Sequence, residues 1–341
     1  MKGRHHIIIE SPRLKYEFEI KRNITVIRGE SATGKTTMVD LLRDFSRGGN
    51  QNLIRVVSDY PCVVYEGGEK NWKDFLALIH DAIVFIDEEN YFIGTKDFAE
   101  YILHTSNYYV LISREPLKNL PYSICEIYGI RTTGKYHFPE QIYHEFYPLY
   151  SPEEKENKVE GENTVFVCED SKAGFQFLQR CSLNNCECIS AAGNSNIYDK
   201  IQNLDKEKLL IIVADGAAFG AYMEKLMAYI HYRKNVFLYL PESFEWIILK
   251  ADILKIPHIK QILAEPYNYI ESEQYFSWEQ YFTDLLTDYT KKDKTVRYHK
   301  EKLSEYYLEG YNREKIQKVY PEEIQKIWKD IQVLKNKKEP V

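Results

Sequence analysis

Long apolar runs are missing from this sequence. None approaches the roughly 20 residues that a membrane-spanning helix needs. Residues 1–10 carry basic side chains but no apolar core with a cleavage site. Neither an integral membrane protein nor an exported one is expected; the reading is cytoplasmic. Dominance by one charge is missing as well: 45 Lys and Arg stand against 51 Asp and Glu, a net charge of −6. That balance disfavours a protein that coats nucleic acid, while leaving room for a local basic face. Cysteine is sparse. The 6 cysteines (Cys62, Cys125, Cys168, Cys181, Cys186 and Cys188) are scattered through mostly apolar text, which reads as free thiols in a reducing compartment. Cys181, Cys186 and Cys188 lie close together, but their spacing is not that of a zinc ribbon and no fourth ligand is evident. Internal repeats and low-complexity tracts are absent.

What is present is globular material. Hydrophobic residues make up 44% and charged residues 28%, which supports a buried core and excludes global disorder. A length of 341 residues suggests two domains. Tyrosine is in excess, 28 against 16 Phe. Its apolar body and polar tip suit cores and interfaces alike, so it adds only slight weight to a protein partner or a homo-oligomer.

The first half alternates strand-like and helix-like segments. Residues 16–20, 24–28, 55–57, 62–65, 82–86 and 108–113 read as strands, with 123–130 following; 36–45, 72–79 and 98–105 read as helices, and 132–135 as a loop. Residues 151–163 are charged and nearly devoid of apolar side chains, and read as a linker. A second alternation follows. Strands are expected at 165–168, 186–190, 209–214 and 236–240, and helices at 173–180, 197–203 and 219–231. The remainder is helical, at 245–251, 277–288, 300–308 and 321–334. The fold class is therefore α/β. The expected domains are 1–150, 164–250 and a helical C-terminal extension at 251–341. Residues 291–341 carry 14 basic and 9 acidic side chains. This excess suits either a solvated helical surface or contact with DNA or RNA.

Gly29-Glu30-Ser31-Ala32-Thr33-Gly34-Lys35-Thr36 is a complete G-x4-G-K-T, with Thr37 next. It follows the apolar strand 24–27 and opens a helix, the context in which loop N–H groups wrap phosphates at a helix N-terminus. Lys35 is the residue to reach the β/γ-phosphates, and Thr36 offers a hydroxyl to Mg2+. The apolar strand 82–86 runs into Asp87-Glu88-Glu89. Asp87 is the expected Mg2+-side carboxylate and Glu88 the group that polarises the attacking water. The next strand ends in Ser113-Arg114: Ser113 is a candidate γ-phosphate sensor, and Arg114 or Arg131 a candidate for stabilising developing charge. No guanine-selecting N/T-K-x-D segment stands in the expected place, so ATP is the expected nucleotide.

The Asp-Glu pair at a strand end resembles ATPases of the ABC and AAA types. The LSGGQ-like signature of ABC ATPases is absent, and the 52 residues from Lys35 to Asp87 leave no room for a long coiled-coil insertion. A standard ABC sandwich dimer is therefore not expected.

In the second half, acidic residues follow consecutive strands: Glu169 and Asp170 after the first, Asp215 after the third, Glu242 and Glu245 after the fourth, with a turn at Gly193 after the second. Strand C-termini in an open α/β sheet converge on one edge, and gathered carboxylates need a counter-charge, ordinarily Mg2+. This order of Glu, Gly, Asp and a closing acidic segment resembles the Toprim domain. The segment P-E-S-F-E-W-I-I-L at 241–249 is similar to one in overcoming-lysogenisation-defect nucleases and related phage-defence proteins. The resemblance implies that Glu169 is the first metal ligand and acid/base group, and that Asp215 is the first Asp of a D-x-D motif. Asp170, Glu242 or Glu245 are the candidates to complete that metal site, the alternative being that catalysis is lost. The second Asp of that motif is Ala217 here.

An N-terminal P-loop ATPase followed by a Toprim-like domain resembles the plan of those nucleases in miniature. The resemblance implies an ATP-hydrolysing switch coupled to a Toprim-like domain, degenerate at Ala217, in nucleic-acid processing or phage defence. Two other readings stand beside it: an ATP-regulated, Mg2+-dependent nuclease using Glu169 and Asp215, and a small-molecule kinase or transferase.

Overall fold

Short apolar segments and amphipathic ones sort into two sheets and their covering helices in the computed structural model. It describes residues 1–29, 33–48, 53–137, 141–155, 163–182, 186–233 and 235–336. Two compact units emerge, Met1–Tyr150 with Glu265–Ser277 and Ser151–Ala264 with Trp278–Val341. The architecture is mixed α/β, with a helix-rich C-terminal part.

In the first unit, nine strands form one sheet among the described residues: β1 (His5–Glu10), β2 (Leu14–Ile20), β3 (Ile24–Ile27), β4 (Arg55–Val57), β5 (Cys62–Val64), β6 (Ile83–Ile86), β7 (Tyr108–Ile112), β8 (Ile127–His137) and β9 (Gln141–Pro148). Their order is β4-β1-β2-β9-β8-β3-β7-β6-β5. The run from β8 through β3, β7 and β6 to β5 is parallel. Every residue of β3, β6 and β7 is buried, as expected of parallel strands covered on both faces. The antiparallel side differs: β2 alternates buried Tyr16, Phe18 and Ile20 with exposed Glu17 and Glu19, the pattern of a sheet with one wet face.

Two strands here were not expected, β1 and β9, and β8 runs through the segment read as a loop. The Thr132-Thr133-Gly134-Lys135 text is turn-like, yet it stays in the β8–β9 ladder. A register shift between Thr132 and Tyr136 absorbs the irregularity. Residues 265–277, expected within the C-terminal extension, belong to the first unit. Gly3 N donates to Tyr267 O at 2.7 Å and Asn23 Nδ2 to Phe276 O at 3.0 Å.

The second unit holds β10 (Glu153–Lys155), β11 (Thr164–Cys168), β12 (Cys186–Ser190), β13 (Leu209–Val213) and β14 (Val236–Tyr239), in the order β10-β14-β13-β11-β12. From β11 to β14 the pairing is parallel; β10 adds an antiparallel edge. Glu153–Lys155 lies inside the expected linker: polar text is no obstacle at an edge, where backbone pairing with β14 suffices. Residues 156–162 of that linker lie outside the described residues. The crossovers run through the helices Ala173–Cys181, Ile197–Gln202 and Met223–Tyr232. The expected helix at 219–231 starts late, after 3-10 turns at Gly216–Ala218 and Gly220–Tyr222.

The C-terminal helices are part of this unit's core. In Glu322–Asn336, Trp328 stacks on Phe166 of β11 with centroids 6.2 Å apart, and buried Tyr320 lies against Phe177 and Tyr239. Lys326 and Lys329 stay exposed on the same helix, so the basic excess lines a helix whose apolar side is used in packing. Tyrosine follows the same logic. Tyr16, Tyr65, Tyr108, Tyr109, Tyr122, Tyr298 and Tyr307 are almost wholly buried, and several satisfy their hydroxyls on backbone carbonyls. Among the described residues, no helix is long and apolar enough to cross a membrane.

Candidate functional site

The parallel strands β3, β7 and β6 are neighbours, with Ile27 opposite Ile112 and Ile86 opposite Leu111. Their C-terminal ends therefore share one edge, where three chain segments leave the sheet: Arg28-Gly29, Ser113-Arg114 and Asp87-Glu88. Such an edge is where open α/β sheets receive ligands. Helix Lys35–Ser46 starts there, and its first-turn N–H groups face the same side as the loop.

Gly34 caps that helix with φ 94°, a left-handed conformation that favours glycine. A Cβ at Gly34 would stand 2.9 Å from the Tyr16 hydroxyl, so space demands glycine too. The Tyr16 hydroxyl donates to Gly34 O at 3.0 Å, and its ring stacks on His144 with centroids 4.5 Å apart. Lys35 is 5% exposed. Its ammonium donates to Gly29 O at 2.7 Å and to Thr33 Oγ1 at 3.0 Å, closing the loop on itself. Burial pushes the Lys35 ammonium below the ordinary lysine range; the Glu88 charge opposes this, Arg114 reinforces it and Asp87 opposes it. Thr36 and Thr37 are exposed in the first helical turn. Glu30, Ser31 and Ala32 of the motif lie outside the described residues.

Asp87 is 4% exposed; its Oδ1 accepts from the Glu88 N–H at 2.8 Å, and Arg43 Nη2 lies 3.7 Å from its Oδ2. Glu88 is gripped by Arg114, whose Nε and Nη2 donate to its two carboxylate oxygens at 2.8 and 2.6 Å. Ser113 is buried and donates to Glu115 O at 2.8 Å. The expected sensor hydroxyl thus serves the turn that carries Arg114. Arg131 lies opposite Glu145 across β8–β9, paired at 2.8 Å. Arg28 was not singled out in the sequence: it is buried at the end of β3 and donates to Arg114 O at 2.5 Å. Glu88, Asn90, Tyr91 and Arg114 help line an adjoining cavity of about 450 Å³. The oxygen-only donor set of Thr36 and Asp87 fits a hard cation that keeps water and phosphate oxygens as its other ligands.

The strand ends of the second unit also converge, under cover. Asp215 follows β13 and Glu169 follows β11, its neighbour; the Asp215 N–H donates to Glu169 Oε2 at 2.9 Å. Gly216, next in the chain, lies close against the backbone that leaves β14: a Cβ there would meet Leu240 O at 2.5 Å. Ser243 caps helix Phe244–Lys250, accepting from Trp246 N at 3.2 Å, which places Glu245 in the first turn. Glu245 is 1% exposed; its Oε1 accepts from the Tyr298 hydroxyl at 2.5 Å, and its Oε2 has no hydrogen-bond partner. Glu169, Asp170, Asp215, Glu245 and Lys300 help line one cavity of about 40 Å³, room for a few waters. Lys300 donates to Glu279 Oε1 at 2.5 Å.

Electrostatics bind this group together. Burial, then the charges of Glu279, Glu169 and Glu245, hold Asp215 well above the usual carboxylate range. Burial pushes Glu169 up to about 7, opposed by the Asp215 N–H. Burial acts to lower the Lys300 ammonium, but the charges of Glu245, Glu279 and Asp215 outweigh it and the shift is upward. Glu242 is half-buried and outside this cavity's lining, and Ala217 is buried, its N–H donating to Glu242 O at 3.3 Å. The residues do not fit a divalent cation: an ammonium stands among the carboxylates, the second Asp is a buried methyl, and among the described residues no three His, Cys, Asp or Glu side chains are placed to hold a metal. Glu279 and Lys300 escaped the sequence reading because neither follows a strand.

The same holds for Cys181, Cys186 and Cys188, which form no metal cluster among the described residues. None of the six cysteines forms a disulfide. Burial raises the thiols of Cys62 and Cys186 to about 11 and that of Cys181 to about 12, which leaves them protonated and unreactive. No protein-family model matches this chain, and no curated protein matches it either.

Proposed function

We propose that this protein is an ATP-binding and ATP-hydrolysing switch whose second unit is a degenerate Toprim-like module, acting in nucleic-acid processing or phage defence. The observation that carries the first part is Lys35, buried in the first turn of the helix that follows β3, with Asp87 and Glu88 ending a parallel strand of the same sheet edge. Lys35 and the N–H groups of its helix bind the β- and γ-phosphates. Thr36 and Asp87 would hold Mg2+, which when bound neutralises phosphate charge. Glu88 orients the attacking water and accepts its proton. Arg114 now holds both oxygens of Glu88, so Glu88 takes a water only by exchanging that partner. The absence of a guanine-selecting segment supports ATP over GTP.

For the second unit, support comes from the order of Glu169, Gly193 and Asp215 on strands β11, β12 and β13, and from the meeting of Glu169 with Asp215. The lysine among the carboxylates and Ala217 favour binding or assembly over metal-dependent cleavage. A protein partner, a second copy of the chain, DNA or RNA would be what it engages.

The test is phosphate release from ATP and GTP by the full chain, beside Lys35→Ala and Glu88→Gln. Release from ATP, abolished in both variants, is the expected result. A phosphorylated metabolite in place of free phosphate would shift the assignment to a kinase or transferase. Neither binding nor turnover would overturn it.

A further inference from the structure

The acidic pocket of the second unit has its own cation, and that cation is built in. Glu169 and Asp215 end adjacent parallel strands; Glu245 and Glu279 lie in the first turns of the helices Phe244–Lys250 and Trp278–Thr290. Lys300 enters this group and bonds Glu279. Its backbone is fixed separately: Lys300 O accepts from Ala173 N at 2.9 Å, and Gln176 grips the next turn through Glu301 O at 2.8 Å and Leu303 N at 2.9 Å. A side chain on so firmly held a backbone is not a wandering surface lysine. It is 28% exposed, with Glu279 at 22%.

Gathered carboxylates in a poorly hydrated pocket require a counter-charge. Either an ion from solution or a side chain can provide it, but not both at one place. A divalent ion on Asp215 and Glu169 would meet the repulsion of the ammonium, which at close range costs at least about a hundredfold in affinity. The unpartnered Glu245 Oε2 belongs to a side chain that lines the same small cavity as Lys300.

We propose that the Lys300 ammonium is the resident counter-ion of this pocket, in the place a divalent metal takes in a working Toprim site, and that the second unit is a metal-independent module. This rests on the Toprim-like reading above. It identifies Lys300, as well as Ala217, as the feature that separates this pocket from a nuclease centre.

The experiment is Mn2+ binding followed by electron paramagnetic resonance, on the nucleotide-free full chain carrying Asp87→Ala to silence the first unit. The chain with native Lys300 should take up no Mn2+ in the second unit. Lys300→Met should bind Mn2+ at least about a hundredfold more tightly, with the gain lost on adding Asp215→Asn; Lys300→Arg should gain nothing. Mn2+ binding by the Lys300 chain that Asp215→Asn removes would overturn the lysine assignment while strengthening the Toprim-like reading. A folded Lys300→Met that gains no affinity would overturn both. The native-lysine arm decides the first point even if Lys300→Met fails to fold.

Discussion

Two lysines, one in each unit, stand where strand ends converge, and their partners differ. Lys35 donates to the Gly29 carbonyl and the Thr33 hydroxyl; Lys300 donates to the Glu279 carboxylate and feels the charges of Glu245 and Asp215 as well. Burial dominates at Lys35 and pushes its ammonium down, whereas acidic neighbours dominate at Lys300 and pull it up. Similar sheet edges thus set their lysines differently: one at the start of a helix beside neutral oxygens, the other among carboxylates.

The sharpest way to break this comparison is Glu88→Gln. Loss of the water-orienting carboxylate should lower ATP turnover by about 10²–10⁴-fold while leaving ATP binding intact, measured by phosphate release and nucleotide fluorescence. Asp215→Ala, at the equivalent edge of the second unit, should leave turnover unchanged. If both substitutions abolish turnover, the division of labour between the units is wrong.

Buried charge can be compared in each unit through stability. In the first unit, Glu126 lies 3.7 Å from Arg22, with side chains 3% and 7% exposed. Glu126→Ala removes this buried carboxylate, which also accepts from Thr25 Oγ1, and should cost about 1–3 kcal/mol in urea unfolding. In the second unit the effect depends on pH. The folded-state pKa of Glu169 is raised from 4.5 to about 7, so folding takes up a proton between those values. Its contribution to stability is fully present below about 4.5 and is lost as pH rises through about 7. The Glu169 share of that fall is at most about 1.4 kcal/mol per pH unit, and Glu169→Gln should flatten the slope; an unchanged slope would locate the proton elsewhere. The smallest effect is expected at Arg131→Ala. It breaks an exposed cross-strand pair with Glu145 and should move the unfolding free energy by under about 1 kcal/mol.

Much of this molecule was legible in the residues. The apolar runs of β3, β6, β7, β11, β13 and β14 are read directly, because strands buried on both faces need near-continuous hydrophobicity. The start of helix Lys35–Ser46 after Gly34 was legible because glycine there answers a local demand of the backbone. What escaped had a non-local cause. β1 and β9 are held by pairing with strands distant in sequence, β1 with β4 and β9 with β2. The hydroxyl of Ser113 is held by Glu115 O, a choice no spacing rule reveals.

The second pocket divides most clearly between chain and fold. Sequence alone placed Glu169 and Asp215 at the ends of two strands of an α/β sheet, because strand ends follow from hydrophobic periodicity; that the two strands are neighbours is a fact of the fold. Only the tertiary structure decided that Glu279 and Lys300 join them, more than sixty residues beyond Asp215 in the chain. The physical reason is range. Periodicity and turn chemistry act over a few residues, whereas a buried carboxylate selects its counter-charge by distance in space, from whatever segment the core brings beside it.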